Sequence, residues 1–204
     1  MGTFIVFEGG EGSGKSTQAR ALHRSLLRRG YPALLTHEPG GTELGEKVRR
    51  VLKGQADATP LALLLLFSAA RAQLVQEVIR PTLAEGSVVV CDRYVPSTIA
   101  YQSYGGGLDM ATVAKVTEAA TQGLQPDVVV LLDQPPALGL ERKHGQAPDR
   151  FESEQLEFHQ RVRQGYLEQA KAEPERWLVV DATLPKDQVA EVIWQRVESL
   201  LKGA

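Results

Sequence analysis

The 204-residue sequence holds one cysteine, two tryptophans, two methionines and four histidines, and 23 Lys and Arg stand against 25 Asp and Glu. Each scarcity excludes something. The single Cys91 builds neither a disulfide framework nor a cysteine-based zinc site. Its place at the end of the run Val88-Val89-Val90 marks it as a small buried hydrophobe. A formal net charge of −2 supplies no global positive field for a nucleic-acid polymer or an anionic membrane. The longest apolar stretch, Leu61 to Ala70, is too short to cross a bilayer, and the first residues carry no basic leader. The cytoplasm is therefore the expected compartment. With 43% hydrophobic and 24% charged residues, residues 1–204 are expected to form one domain with a substantial core.

Five apolar, β-rich runs recur, at Phe4–Phe7, Ala33–Thr36, Val88–Cys91, Val128–Leu132 and Trp177–Val180. None alternates cleanly, as expected of strands covered on both faces. Helical patterns lie between them. The first spans 15–29, with Ala19, Leu22 and Leu26 on one stripe and Gly30 as its stop. Others are expected at 43–53, at 60–79 (ended by Pro81), and at about 110–122, 136–143, 153–172 and 186–202. This order predicts an α/β fold: a five-stranded parallel sheet with helices on both faces and ligands at the carboxyl ends of the strands. The segment His144-Gly145-Gln146-Ala147-Pro148 interrupts a charged helical region and predicts a short lid at about 142–150.

Residues 9–16 read Gly-Gly-Glu-Gly-Ser-Gly-Lys-Ser directly after the first apolar run. This is the G-x-x-x-x-G-K-[ST] phosphate loop, placed where a strand hands over to a helix. Gly9, Gly10, Gly12 and Gly14 let successive N–H groups turn inward around a polyphosphate, with Glu11 and Ser13 between them. Lys15 follows the β- and γ-phosphates, Ser16 offers a hydroxyl to Mg²⁺, and the helix beginning at Lys15 to Thr17 adds its N-terminal dipole. The chain is expected to bind a nucleoside triphosphate.

The other predicted strands also end in polar residues: His37-Glu38-Pro39, Asp92-Arg93-Tyr94, Asp133 and Asp181. Asp92, opposite the phosphate loop, is a candidate to orient Mg²⁺ with Ser16. Arg93 beside it needs an anion, which a phosphate on a second substrate would supply. Phe67 and Arg71 lie four apart on one predicted helix, an aromatic face and a donor suited to a nucleobase. Arg142, Lys143 and Arg150 are lid cations placed to close over transferring phosphates.

With these residues in hand, the chain resembles the thymidylate kinases of the nucleoside monophosphate kinase group. Glu38-Pro39-Gly40-Gly41-Thr42, Phe67 to Arg71 and the run from Asp92 to Gln102 carry the resemblance. It implies that Phe67 stacks on thymine, that Arg71 reaches its O4, and that Thr98 and Gln102 lie at the N3 edge. It further implies that Arg93 and Arg49 hold the acceptor phosphate, that Tyr101 packs beneath the deoxyribose, and that Glu11 approaches the sugar. Glu38 and Pro39 belong to the same substrate side, Pro39 after a cis peptide. Some members carry Arg where Gly12 stands. This chain resembles the bacterial-like form, in which lid cations supply that charge. A homodimer is also implied, with Leu63 to Leu66 as a contact face.

The expected reaction is ATP + dTMP → ADP + dTDP. Two rivals share the chemistry: a deoxynucleoside kinase, in which Glu38 would serve as base, and a kinase for another monophosphate. A GTP-dependent switch would need D-x-x-G and [NT]-K-x-D motifs, and neither occurs.

Overall fold

The computed structural model describes residues 2–54, 58–142 and 154–203. Strands β1 (Phe4–Glu8), β2 (Ala33–His37), β3 (Val88–Asp92), β4 (Val128–Asp133) and β5 (Trp177–Asp181) are all parallel, in the order β2-β3-β1-β4-β5. Each strand runs one residue beyond its apolar run, so Glu8, His37, Asp92, Asp133 and Asp181 close the five carboxyl ends. The chain builds outward from β1 to β2, returns through β3, then crosses to β4. The crevice above β1 and β3 is thereby the ligand-binding position of such a sheet.

Both sheet faces are covered, which explains the missing alternation. Ile5, Phe7, Val90 and Val130 meet α1 (Lys15–Arg28) and α9 (Lys186–Lys202) through Leu22, Leu26, Val189 and Ile193. Phe4, Val6, Val89 and Leu131 face the opposite layer, made by a long helix after residue 59 and by α8 (Leu156–Ala172). Each fully buried Leu or Phe contributes roughly 1.5–3 kcal/mol. Helix α2 (Glu43–Lys53), capped by the Thr42 side chain on Gly45 N, packs beside the long helix through Val48 and Leu52.

That long helix corrects one expectation. It begins as α3 (Pro60–Leu74), passes through a π-helical turn at Val75–Ile79 and continues as α4 (Arg80–Ala84). Pro81 does not end it, because it falls in the first turn of α4, where the π turn has already shifted the hydrogen-bond register. The continuous helix has 25 residues and enough apolar character to cross a membrane. Leu64, Arg71, Leu74, Val75 and Ile79 are buried within the fold, which makes it a core helix. A second departure follows β3. There, α5 (Val95–Thr98) runs into a π-helical segment, Ile99–Gly105, which the sequence periodicity does not announce. Helices α6 (Met110–Thr121) and α7 (Pro136–Glu141) complete the described elements.

Candidate active site

A cleft of about 1210 Å³ opens at the carboxyl ends of the strands. The phosphate loop forms one end. Gly14 caps α1 at φ 92° and Gly12 turns at φ 64°, both in the left-handed region that suits glycine. Gly12 also rests against α7: a Cβ there would lie 2.1 Å from the carbonyl oxygen of Gly139, and a Cβ on Gly139 would lie 2.0 Å from that of Glu11. The loop and α7 thus touch backbone to backbone, and a side chain at position 12 has no room.

Lys15 is buried, and its Nζ donates to the carbonyl of Gly10 at 2.7 Å and to Ser13 Oγ at 3.4 Å. Burial, with Arg93 adding repulsion, lowers its pKa to about 8 against the pull of Glu11 and Asp92. A buried cation bonded only to neutral oxygens suits an incoming polyphosphate. Ser16 Oγ donates to Asp92 Oδ2 in a short hydrogen bond at the mouth of β3. Two hard oxygens so close, beside a phosphate site, fit Mg²⁺, which takes one or two protein oxygens plus phosphate and water.

Arg93 follows β3 with φ 74°, a conformation few bulky residues adopt. Its Nη2 donates to Glu11 Oε1 at 2.5 Å and to Tyr101 OH at 3.4 Å, and its Nη1 donates to Ser97 Oγ at 3.1 Å and to Tyr166 OH at 3.3 Å. Burial opposes the charge, yet the surrounding Tyr101, Glu11, Tyr166 and Glu8 hold its pKa well above the ordinary value. Tyr101 OH also donates to Glu11 at 2.7 Å, so the loop carboxylate ties the phosphate loop to the residues after β3.

The far end of the cleft holds Phe67 and a buried ion pair. Arg71 Nε donates to Glu38 Oε2 at 2.8 Å, while its Nη2 reaches the same oxygen at 2.7 Å, the Tyr94 carbonyl at 3.0 Å and Thr98 Oγ1 at 2.9 Å. Burial works against the Arg71 charge, but Glu38 keeps its pKa raised. Arg71 Nη1 and Glu38 Oε1 are buried without a hydrogen-bond partner, and both residues line the cleft. An orphaned donor beside an orphaned acceptor suits a ligand carrying both functions on one edge. The Glu38–Pro39 peptide is cis, and the Pro39 carbonyl accepts from Arg49 Nη1 at 2.8 Å.

Glu11, Gly12, Ser13, Gly14, Lys15, Ser16, Thr17, Glu38, Pro39, Arg49, Phe67, Arg71, Asp92, Arg93, Thr98, Tyr101, Gln102 and Arg142 all line this cleft. Gly9 and Gly10 do not: Gly9 packs on Leu132, where a Cβ would lie 2.5 Å from the carbonyl oxygen, and the Gly10 carbonyl serves Lys15. Arg142 Nη1 donates to Gln134 Oε1 at 2.9 Å and to the Gly12 carbonyl at 3.4 Å, above the phosphate loop. Lys143 and Arg150, and most of the segment expected as a lid, lie outside the described residues.

Asp133 is absent from the cleft and forms a two-pronged pair with Arg163, both contacts 2.8 Å. Asp181 closes its own turn on Thr183. His159, on α8, is buried against Phe158. Sequence reasoning missed the wall formed by Ala182, Leu184, Pro185, Lys186 and Val189 beside the phosphate loop. Its signal was positional: these residues follow the carboxyl end of β5. It also missed Ser97, Gln134 and Tyr166, whose polar atoms carry no distinguishing spacing.

A family model described as thymidylate kinase matches residues 7–193. A thymidylate kinase of Dehalococcoides mccartyi (strain 195) is 50% identical over 204 residues, covering 99% of both chains. One from Deinococcus radiodurans is 50% identical over 200 residues, covering 97% of each. Among solved structures, the crystal structure of thymidylate kinase from Ehrlichia chaffeensis aligns with a TM-score of 0.78 at 32% identity, covering 98% of both chains.

Proposed function

The chain belongs to the thymidylate kinase family, and on that premise we propose that its cleft seats ATP and dTMP tail to tail within one kinase domain. The enzyme is an ATP-dependent kinase that converts dTMP to dTDP. The observation carrying the residue assignments is the common cleft, with the phosphate loop and the Arg93 that bonds its Glu11 at one end and Phe67 and Arg71 at the other.

The loop from Gly9 to Thr17 cups the donor phosphates, and Lys15 follows the β- and γ-groups. Phe67 stacks on thymine, Arg71 Nη1 donates to O4, and Thr98 and Gln102 read the N3 edge. Glu38 keeps Arg71 a donor, so cytosine would set its own amino donor against a guanidinium. Arg93, with Arg49, grips the acceptor phosphate, and Tyr101 and Glu11 border the sugar. Mg²⁺ held by Ser16 and Asp92 neutralises phosphate charge when bound.

The acceptor phosphate has a second pKa of about 6 and is largely a dianion at neutral pH. One of its oxygens bonds to the γ-phosphorus while the bond to the β–γ bridging oxygen breaks, and ADP leaves with that charge. No proton is removed from the acceptor, so no general base is required. Catalysis is positioning plus charge neutralisation by Lys15, Arg93 and Arg142. A homodimer and a cytoplasmic setting complete the reading. Leu61 and Leu65, 47% and 51% exposed, offer an apolar contact face on α3, whereas Leu63 and Leu64 are core residues.

ADP release across a panel of acceptors tests this reading: dTMP should turn over fastest, with thymidine and AMP inert. Lys15→Ala should lower kcat by at least about a hundredfold. Preference for thymidine over dTMP would overturn the assignment in favour of a nucleoside kinase.

A further inference from the structure

Glu8, at the end of β1, is a fully buried carboxylate that does not line the cleft and takes no part in the chemistry above. It follows Phe4 and Val6 onto the sheet face occupied by Tyr94 and Tyr166. Its Oε1 accepts from Tyr94 N at 2.8 Å and Ser97 N at 3.2 Å, and its Oε2 accepts from Ser97 Oγ at 2.6 Å and Tyr166 OH at 3.0 Å. Tyr94 and Ser97 follow Arg93 in sequence, and Ser97 and Tyr166 meet it in space. Ser97 Oγ and Tyr166 OH lie 2.8 Å apart, and both face Arg93 Nη1.

We propose that Glu8 is a positioning residue for the acceptor phosphate: by taking the hydroxyl hydrogens of Ser97 and Tyr166, it turns their lone pairs toward Arg93 and fixes that guanidinium. The inference rests on the reading that Arg93 holds the phosphate of dTMP. The chemistry is directional. An ionised carboxylate is an acceptor only, whereas each hydroxyl both donates and accepts. With their hydrogens committed to Glu8, the hydroxyls present oxygen to Nη1. The same carboxylate pins the N–H groups of residues 94 and 97, which helps hold Arg93 at its positive φ. A buried charge is a poor route to stability alone, since apolar packing of the same volume serves as well. Burial raises the Glu8 pKa on balance, although Ser97, Arg93, the Tyr94 amide and Tyr166 pull it down. In Glu8→Gln an amide donor competes with the hydroxyl hydrogens, which then turn toward Arg93.

The test is calorimetric binding of dTMP and, separately, of thymidine, which has no phosphate for Arg93 to hold. Glu8→Gln should weaken dTMP about tenfold and move thymidine by less than about twofold. Equal weakening of both ligands, or no change in either, overturns the inference. Tyr166→Phe keeps the ring and removes one oxygen. It should weaken dTMP about threefold with thymidine unmoved, and it answers the question should Glu8→Gln fail to fold. Arg93→Gln separates the two levels. If it selectively weakens dTMP while Glu8→Gln and Tyr166→Phe do not, the role of Glu8 alone falls. If Arg93→Gln is also unselective, the assignment of Arg93 falls with it.

Discussion

In its proposed role Lys15 would serve ATP at the expense of stability, and the conflict has a pH window. Its folded pKa of about 8 lies below the ordinary value of 10.5, so the unfolded chain binds more protons between the two. Below pH 8 the buried charge carries its full penalty, roughly 3 kcal/mol, which is relieved as pH rises toward 10.5. Thermal unfolding of the ligand-free protein should show stability rising over that range relative to Lys15→Met. Over the same range kcat/KM for ATP should fall, by up to about tenfold per pH unit, because the neutral amine no longer attracts phosphate. The Arg71–Glu38 pair has the opposite character. Arg71→Ala strands a buried carboxylate and should cost about 3–5 kcal/mol in chemical denaturation. Arg71→Met combined with Glu38→Gln should recover part of that loss but not thymine binding, with dTMP affinity down about 10–100-fold and ATP affinity nearly unchanged.

Among the elements, the phosphate loop and α7 meet where two glycines exclude side chains for different reasons. Gly12 needs both its turn and its space, whereas Gly139 has ordinary helical backbone and needs only the space. Gly139→Ala should push on Glu11 and its loop, raising KM for ATP about tenfold and, through the Glu11 bonds to Arg93 and Tyr101, weakening dTMP in calorimetry as well. The five strands and most helices were legible because burial on both faces leaves long apolar runs and because Gly-Lys-Ser marks its own turn. The π turns at Val75–Ile79 and Ile99–Gly105 were not, since the change to i→i+5 hydrogen bonds occupies only five and seven residues, too short a stretch for hydrophobic periodicity to register. Pro81 read as a terminator for the same reason: propensity cannot register a helix whose hydrogen-bond ladder has just slipped. Glu8 is an acid at the end of the first apolar run, but its partners come from positions 94, 97 and 166, and such distant closure has no local signature.

Taken as a whole, the molecule places eight of its 23 Lys and Arg at one cleft although it carries a small net negative charge. That places its electrostatics in short-range geometry, not in a long-range field. Assembly is the other property of this scale. If the proposed homodimer forms through the exposed stripe of α3, the parent chain should scatter light as a dimer and Leu65→Glu as a monomer, with the α3 core residues undisturbed. The sheet itself has a further effect. Phe7 and Asp92 are register partners on β1 and β3, and Arg93 N donates to the Phe7 carbonyl at 2.9 Å. The phosphate loop and Arg93 therefore hang from adjacent rails about 4.8 Å apart. On the proposed assignment, the separation of the two reacting phosphates would be gauged by a hydrogen-bonded lattice, so that variation in peripheral loops would alter how the reaction is enclosed without recalibrating its reach.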